Sequence, residues 1–298
     1  MSSNTGLVLV WGPPKCGKSF WVFDAAMHIA LGTEYRGRRV KAGPVVYLAA
    51  EGAHGFRGRV EAYRQHRCGD VKAPFWLEPV RPDLVRDHPE LIRIIGELDE
   101  CPAVVVVDTL NRTMTGSESS DEDMTAYIQA ADAIVAAFEC AVIVVHHCGI
   151  EGTRPRGHTS LSGAVDAQIA IAKSASGHCT ASLELAKDGP EGDALGFTLQ
   201  TVEIGTDEDG DSITSCVVEP DEGHPASHTG PRLSKNQQTL FSILHEAGSA
   251  GLTLEEWNDH AREAGLGIKR KADLYDFRKA LAAKGLAREI AGVWVAER

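Results

Sequence analysis

Short, uninterrupted apolar runs alternate with longer segments of mixed polarity over the first 220 residues of the chain. Runs of this kind are typical of strands that are buried on both faces of a parallel sheet. We predict such strands at 7–11, 45–49, 103–107 and 141–145. The intervening helices are predicted at 20–30, 54–66, 89–99 and 121–139. This alternation of strand and helix predicts a doubly wound α/β core.

The pattern changes towards the C-terminus. Closely spaced apolar runs predict further strands at 168–172, 180–186, 197–204 and 213–218, with a polar hairpin turn at 207–211. The stretch 219–233 is rich in Pro, Gly and polar residues, which is typical of a linker. Beyond it we predict helices at 234–247, 253–264 and 270–284, followed by a hairpin of 286–290 and 293–296. Three helices and a hairpin form the winged-helix pattern, so we predict a first domain at 1–220, a linker at 221–233 and a winged-helix domain at 234–298.

Residues 12–19 match the phosphate-binding pattern G-x-x-x-x-G-K-[ST] at every fixed position. The match lies between a predicted strand and a predicted helix, which is the context that this motif requires. Backbone N–H groups of such a loop face the phosphates, Lys18 reaches the β- and γ-phosphates, and the Ser19 hydroxyl ligates Mg²⁺. The predicted cofactors are therefore ATP and Mg²⁺. The residues predicted to bind them are Gly12, Pro13, Pro14, Lys15, Cys16, Gly17, Lys18, Ser19 and Phe20.

Three further candidates follow predicted strands, at the edge of the sheet where the phosphate loop is expected. Asp108 is predicted to help bind Mg²⁺ or its water, with capping of the next turn as the alternative. Glu51 either polarises the attacking water or is a solvated loop carboxylate. His147, in the pair 146–147, is either a γ-phosphate contact or a structural histidine. Metal ligation is a third interpretation of the pair, although no further ligands show suitable spacing.

The charge distribution confines any contact with DNA to local surfaces. The chain has a net charge of −12, whereas residues 231–298 hold 11 Lys and Arg against 9 Asp and Glu. A large acidic body does not bind DNA nonspecifically, so the candidates are single loops or helices. Loop 149–163, which contains Arg154 and Arg156, is either a DNA contact or a surface loop without a partner. In the C-terminal domain the candidates are Lys269, Arg270 and Lys271, although a winged helix is also a common protein-binding module.

Cysteine usage and the absence of long apolar runs bear on the compartment. The seven cysteines are scattered and form no C-x-x-C pair, which fits a reducing cytoplasm and argues against a zinc module. No apolar run approaches the roughly 20 residues that span a bilayer, and no secretory signal is visible. We therefore expect a cytoplasmic protein that does not contact a membrane.

Several motifs together resemble the RecA-fold ATPases, and specifically the RepA-like hexameric helicases of plasmids and phages. These are Gly-Pro-Pro-Lys-Cys-Gly-Lys-Ser (12–19), Leu-Ala-Ala-Glu (48–51), Val-Val-Asp-Thr-Leu-Asn-Arg (106–112), Asp-Glu-Asp (121–123), His-His-Cys-Gly (146–149) and Arg-Gly-His-Thr-Ser-Leu-Ser-Gly-Ala-Val-Asp (156–166). The resemblance covers residues 6–220. It implies that Glu51 is the catalytic base, that His147 senses the γ-phosphate and that loop 149–163 faces DNA.

The turn 187–192 is similar to the DnaB-like turn that carries an arginine finger, which implies that Lys187 acts on the nucleotide of a neighbouring subunit. The chain departs from the family's pattern in three places. Ile150 stands where many relatives carry Lys, Lys187 replaces an Arg, and the segment that relatives place before the first strand is absent. Lys is a weaker bidentate partner than Arg.

The resemblance implies a RecA-like P-loop NTPase core with a mostly parallel sheet, joined to a small C-terminal winged-helix domain. The implied function is an ATP-hydrolysing motor that forms a ring, a hexamer in the family, on single-stranded DNA during plasmid or phage replication. One alternative is a recombination or repair ATPase of the same fold that forms a filament. Another is a nucleotide-switched regulator in which the winged helix binds DNA and ATP controls assembly.

Overall fold

The computed structural model describes residues 5–149, 152–221, 234–248, 251–267, 272–290 and 292–296. The chain divides into two compact units, Met1–His228 and Thr229–Arg298. The division falls within the stretch 221–233 that the sequence predicts as a linker. Within the described part of the chain, no helix is both long enough and apolar enough to cross a membrane.

One sheet runs through the described part of the first unit. Its strands are β1 Gly6–Gly12, β2 Val45–Ala49, β3 Phe75–Glu78, β4 Val104–Asp108, β5 Ala141–His147, β6 Ala167–Lys173, β7 Cys179–Ala186, β8 Ala194–Thr206 and β9 Ser212–Pro220. They lie in the order β3-β2-β4-β5-β1-β6-β7-β8-β9. Neighbours from β3 to β6 pair in parallel, and β7 to β9 extend the sheet with antiparallel pairs. The predicted mostly parallel α/β core is thus confirmed.

Helices cover both faces of this sheet. They are α1 Lys18–Leu31, α2 Ala53–Tyr63, α3 Leu84–Ile95, α4 Asp121–Phe138 and the short α5 Ser160–Ala164. Successive side chains of a strand point to opposite faces, and β4 shows the result: Val105 and Val107 pack with α3 and α4, while Val104 and Val106 pack with α1 and α2. Burial on both faces explains why the central strands are uninterrupted apolar runs.

The short helix α5 lies partly within the stretch 149–163 that the sequence predicts as a loop. Two other elements of the first unit also differ from the sequence-based predictions. Strand β3 was not predicted, because it has only four residues and lies half-buried at the edge of the sheet. Helix α3 begins at Leu84 instead of residue 89, and Pro89 lies inside it, in the second turn. A proline has no N–H to donate to the carbonyl four residues earlier, which here is that of Val85. The His88 Nδ1 donates to this carbonyl instead, at 3.0 Å, so the helix continues through the proline.

The second unit has its own hydrophobic core. Its elements are α6 Lys235–Glu246, β10 Leu252–Thr253, α7 Leu254–Glu263, α8 Ala272–Ala283, β11 Ala287–Ile290 and β12 Val293–Ala296. Ser234 and Thr253 begin α6 and α7 with capping boxes. Trp257 is fully buried, and its Nε1 donates to the Leu240 carbonyl at 2.9 Å. Three helices and a terminal hairpin therefore occur where the sequence predicts them, while the winged-helix assignment stays a prediction.

Candidate nucleotide-binding site

The phosphate loop connects β1 to α1. Strand β1 ends at Gly12, and α1 begins at Lys18 after Gly17, which has a φ of 96°. A Cβ at Gly12 would lie 2.2 Å from the Ile171 carbonyl oxygen, so the loop passes too close to β6 for a side chain at this position. The apolar strand, the glycines and the helix start together present backbone N–H groups at the carboxyl edge of the sheet, where an anion is favoured.

Lys18 folds back over this loop. Its Nζ donates to the Gly12 carbonyl at 3.0 Å and to the Pro13 carbonyl at 2.8 Å, and the residue is 5% exposed. The ammonium group therefore lies inside the loop, beside the N-terminus of α1. A positive charge at this position suits the β- and γ-phosphates of a nucleotide.

Asp108 is the last residue of β4 and is buried beside the helix that follows the phosphate loop. The Tyr47 hydroxyl donates to its Oδ2 at 2.6 Å, while Oδ1 is buried and accepts no hydrogen bond from the described residues. Burial raises the pKa of Asp108, and the Tyr47 hydroxyl and the nearby Ser19 hydroxyl oppose this rise. A buried carboxylate oxygen without a donor, close to a Ser hydroxyl, fits the oxygen ligands that Mg²⁺ or its waters prefer.

Glu51 follows β2 and reaches the same edge. The Thr109 Oγ1 donates to its Oε2 at 3.1 Å, and the His147 Nε2 lies 3.6 Å from the same oxygen. The Glu51 side chain is 41% exposed, and both of these contacts are made at Oε2. The Ala50 and Glu51 N–H groups both donate to the Asp108 carbonyl, which fixes the end of β2 against β4.

His147 is the last residue of β5. Burial lowers its pKa first, the Lys18 charge lowers it further, and Glu51 opposes both effects. The lowered pKa favours the neutral imidazole, which has one nitrogen able to donate. Among the described residues, no three His, Cys, Asp or Glu side chains group in a way that could hold a metal ion.

Arg59 is a member of this site that the sequence analysis missed. Its guanidinium lies over the Phe20 ring at 4.3 Å and over the Phe56 ring at 5.3 Å, and its Nη1 is buried without a hydrogen-bond partner among the described residues. Arg59 lines a cavity of about 390 Å³ together with Lys18, Ser19, Glu51, Thr109 and His147. Helix α2 follows Glu51 directly, which could have suggested that one of its arginines lies near the nucleotide. It carries both Arg57 and Arg59, however, and only the fold shows which of them lines the cavity.

These residues belong to a stretch that matches a known family. The family model described as AAA domain matches residues 3–153, which is more than half of the chain. The chain belongs to the AAA domain family. Two solved structures are similar: the crystal structure of the RadB recombinase, with 19% identity over 66% of this chain and 89% of that one, and the ATPase domain of a second protein, with 11% identity over 66% and 82%; both TM-scores are 0.49. No curated protein matches the chain.

Lys187 lies away from the nucleotide cavity of its own AAA domain unit. Its Nζ is 3.1 Å from the Asp166 Oδ1, and the Asp166 Oδ2 accepts the Leu7 N–H at 3.0 Å. Leu7 is near the start of β1, whereas the phosphate loop follows its end. Lys187 therefore lies at the opposite edge of the sheet, where it cannot reach a nucleotide bound by the same subunit.

The five predicted DNA-binding residues divide into three groups. Arg154 is exposed and donates to the Gly157 carbonyl at 3.1 Å. Arg156 instead forms a charged hydrogen bond with the Glu118 carboxylate, so its charge is already neutralised within the chain. Lys269, Arg270 and Lys271 lie outside the described residues.

Proposed function

We propose that this AAA domain protein hydrolyses ATP with Mg²⁺ and uses the energy to move along single-stranded DNA, as a motor of the RepA-like ring helicase type in plasmid or phage replication. The observation that carries the ATPase part is the joint lining of one cavity by Lys18, Ser19, Glu51 and His147. A phosphate-binding cation, a hydroxyl ligand, a carboxylate base and a neutral donor are the groups that ATP hydrolysis requires.

Lys18 and the loop N–H groups bind the β- and γ-phosphates and stabilise the charge that develops between them. Ser19 and Asp108 would hold Mg²⁺, the Ser hydroxyl directly and the carboxylate directly or through water. The ion supplies charge neutralisation at the phosphate oxygens. Arg59 adds a further positive charge to the same cavity.

Glu51 accepts the proton of the water that attacks the γ-phosphorus. Thr109 and His147 both lie at Oε2, so we assign Oε1 to the attacking water. The hydrogen bond from Thr109 fixes the direction of the carboxylate, which is the condition for effective general-base catalysis. Thr109 acts here as a positioning residue because its hydroxyl donates to the base.

Lys187 would complete the site of a neighbouring subunit. Its exposed position at the far edge of the sheet supports a role in trans, since it lies away from its own cavity. Such an arrangement requires self-association, into a ring or, in the recombination or repair alternative, a filament. The regulator alternative uses the same site for slow hydrolysis that controls assembly.

The test is the steady-state ATPase rate with and without single-stranded DNA, measured beside the mass of the assembly in ATP and Mg²⁺. The proposal expects Mg²⁺-dependent hydrolysis that single-stranded DNA stimulates, a ring-sized assembly, and unwinding of a forked duplex. Strand pairing without unwinding would favour the filament alternative. Sequence-specific duplex binding with slow hydrolysis would favour the regulator.

A further inference from the structure

A second polar cluster lies beyond the nucleotide cavity and is centred on Glu118. This residue is 9% exposed, and both of its carboxylate oxygens have partners: Arg156 donates its Nε to Oε2, and Asn111 donates its Nδ2 to Oε1 at 2.9 Å. Burial by itself raises the pKa of Glu118, but these hydrogen bonds outweigh it and the pKa is lowered. Glu118 is thus a nearly buried carboxylate whose ionised form is favoured by its two hydrogen bonds, and it lies outside the lining of the nucleotide cavity.

Arg156, which Glu118 binds, is also hydrogen-bonded through its backbone to the end of β5. The Arg156 N–H donates to the His147 carbonyl at 3.0 Å, and the His146 Nε2 donates to the Arg156 carbonyl at 2.9 Å. Residue 156 therefore has three attachments: its side chain to Glu118, and its two backbone groups to the histidine pair. One of those histidines, His147, lines the nucleotide cavity.

The backbone around Glu118 and the backbone around Gly157 pack closely against each other. The His158 N–H donates to the Glu118 carbonyl at 2.7 Å. Gly157 has a φ of 91°, and a Cβ there would lie 2.4 Å from the same carbonyl oxygen. Glycine is needed at this position for both reasons. Next to this contact lies a polar cleft of about 770 Å³, lined by the glycine-containing segments 116–119 and 152–157.

We propose that Glu118 is a positioning residue: its pair with Arg156 clamps the segment 152–157 against the segment 116–119, while the Arg156 backbone joins the same segment to the end of β5. A change at His147 on nucleotide binding then moves the clamped segments and the cleft that they line. The inference rests on the proposed function, because it takes His147 to contact the nucleotide. It also changes the interpretation of the two arginines. Arg156 holds the segment in place, and exposed Arg154 is the residue left to contact a nucleic-acid phosphate.

Hydrogen exchange of the full-length protein tests the clamp without using DNA. Glu118→Gln keeps the shape of the side chain but replaces one acceptor by a donor, so either Arg156 or Asn111 loses its partner. We expect exchange in peptides covering 152–158 to become faster by about tenfold without nucleotide, as for the loss of one charged hydrogen bond. Glu122→Gln, which changes an exposed carboxylate on α4, is the matched control and should leave exchange unchanged.

Two further measurements make the result decisive. Arg156→Gln should have the same effect as Glu118→Gln, and the double variant should be no worse than either single, because all three remove one interaction. With a non-hydrolysable ATP analogue and Mg²⁺, the native protein should change its exchange at 152–158, and Glu118→Gln should lose this response while basal ATPase stays within about twofold. Unchanged protection in Glu118→Gln would overturn the clamp.

Failure of the clamp and failure of the proposed function give different experimental results. If the native protein shows the exchange response to nucleotide but no stimulation by single-stranded DNA, the clamp stands and the DNA part of the proposed function fails. If the analogue changes exchange at 152–158 equally in the native protein and in Glu118→Gln, Glu118 does not pass on the nucleotide state and the inference is wrong.

Discussion

At the scale of single residues, the proposed ATP hydrolysis depends on a few side chains that meet at the ends of β1, β2, β4 and β5. Lys18 has the most direct role. Lys18→Ala removes the cation that lies inside the phosphate loop, and we expect nucleotide binding or turnover to be lost. Binding of a fluorescent ATP analogue and the ATPase rate measure this outcome. Normal turnover in Lys18→Ala would refute the role of the phosphate loop.

Thr109 gives a finer test, because its hydroxyl donates to the carboxylate of Glu51. Thr109→Val keeps the shape of a buried side chain but removes the donor, so we expect kcat to fall about tenfold with KM for ATP unchanged. Thr109→Ser retains the hydroxyl and should restore most of the rate. A change in KM alone, or equal defects in both variants, would mean that Thr109 has only a structural role.

The residue scale is also where the sequence was least informative. The phosphate loop could be predicted because its residues are contiguous and their spacing is fixed by phosphate geometry. The contacts of Arg59 with Phe20 and of Arg156 with Glu118 join residues 39 and 38 positions apart. No local pattern encodes such pairs, since they arise only when α2 packs beside α1 and the segment 152–157 folds back on β5.

At the scale of elements, the central strands were predictable because burial on both faces makes them uninterrupted apolar runs. Most helices were predictable because burial on one face imposes a period on the sequence. Strand β3 and the start of α3 were not, since a short edge strand shows no period and a proline inside the second turn imitates a helix start. Lys187 follows β7, which runs antiparallel to β6, and it therefore lies at the edge of the sheet opposite to the phosphate loop. The apolar runs do not specify the direction of a strand, so this location could not be predicted.

Helix α1 supports a prediction about stability and pH. Asp24 is 3% exposed, and burial raises its pKa from 3.8 to about 6, against the opposing charges of Arg36 and Arg67. The folded state therefore holds this proton at a higher pH than the unfolded state does. Asp24 thus lowers the free energy of unfolding progressively as the pH rises from about 4 to about 6.

Asp24→Asn removes this titration. Relative to the native protein, its free energy of unfolding in urea should therefore increase between pH 4.5 and pH 7.5. Asp99→Asn, which changes an exposed carboxylate, is the control and should show no such trend. An Asp24→Asn difference that is the same at both pH values would show that Asp24 ionises alike in both states.

At the scale of the whole molecule, the two units have separate hydrophobic cores, and every residue of the candidate nucleotide site precedes the linker. Deletion of residues 231–298 should therefore leave basal ATP hydrolysis intact. It should also reduce the steepness with which DNA affinity falls with salt, because basic side chains that release counterions are removed. A salt dependence that the deletion does not change would make the C-terminal unit a protein-binding module.

The central claim is that one cavity binds ATP and that Glu51 is the base that activates the attacking water. The most direct measurement compares ATP binding and single-turnover hydrolysis in Glu51→Gln and in the native protein, in the same preparations. We expect Glu51→Gln to bind ATP with nearly native affinity while its hydrolysis rate falls by about a hundredfold or more, as for the removal of a general base. Hydrolysis at the native rate in Glu51→Gln would contradict the account and assign the base to another residue.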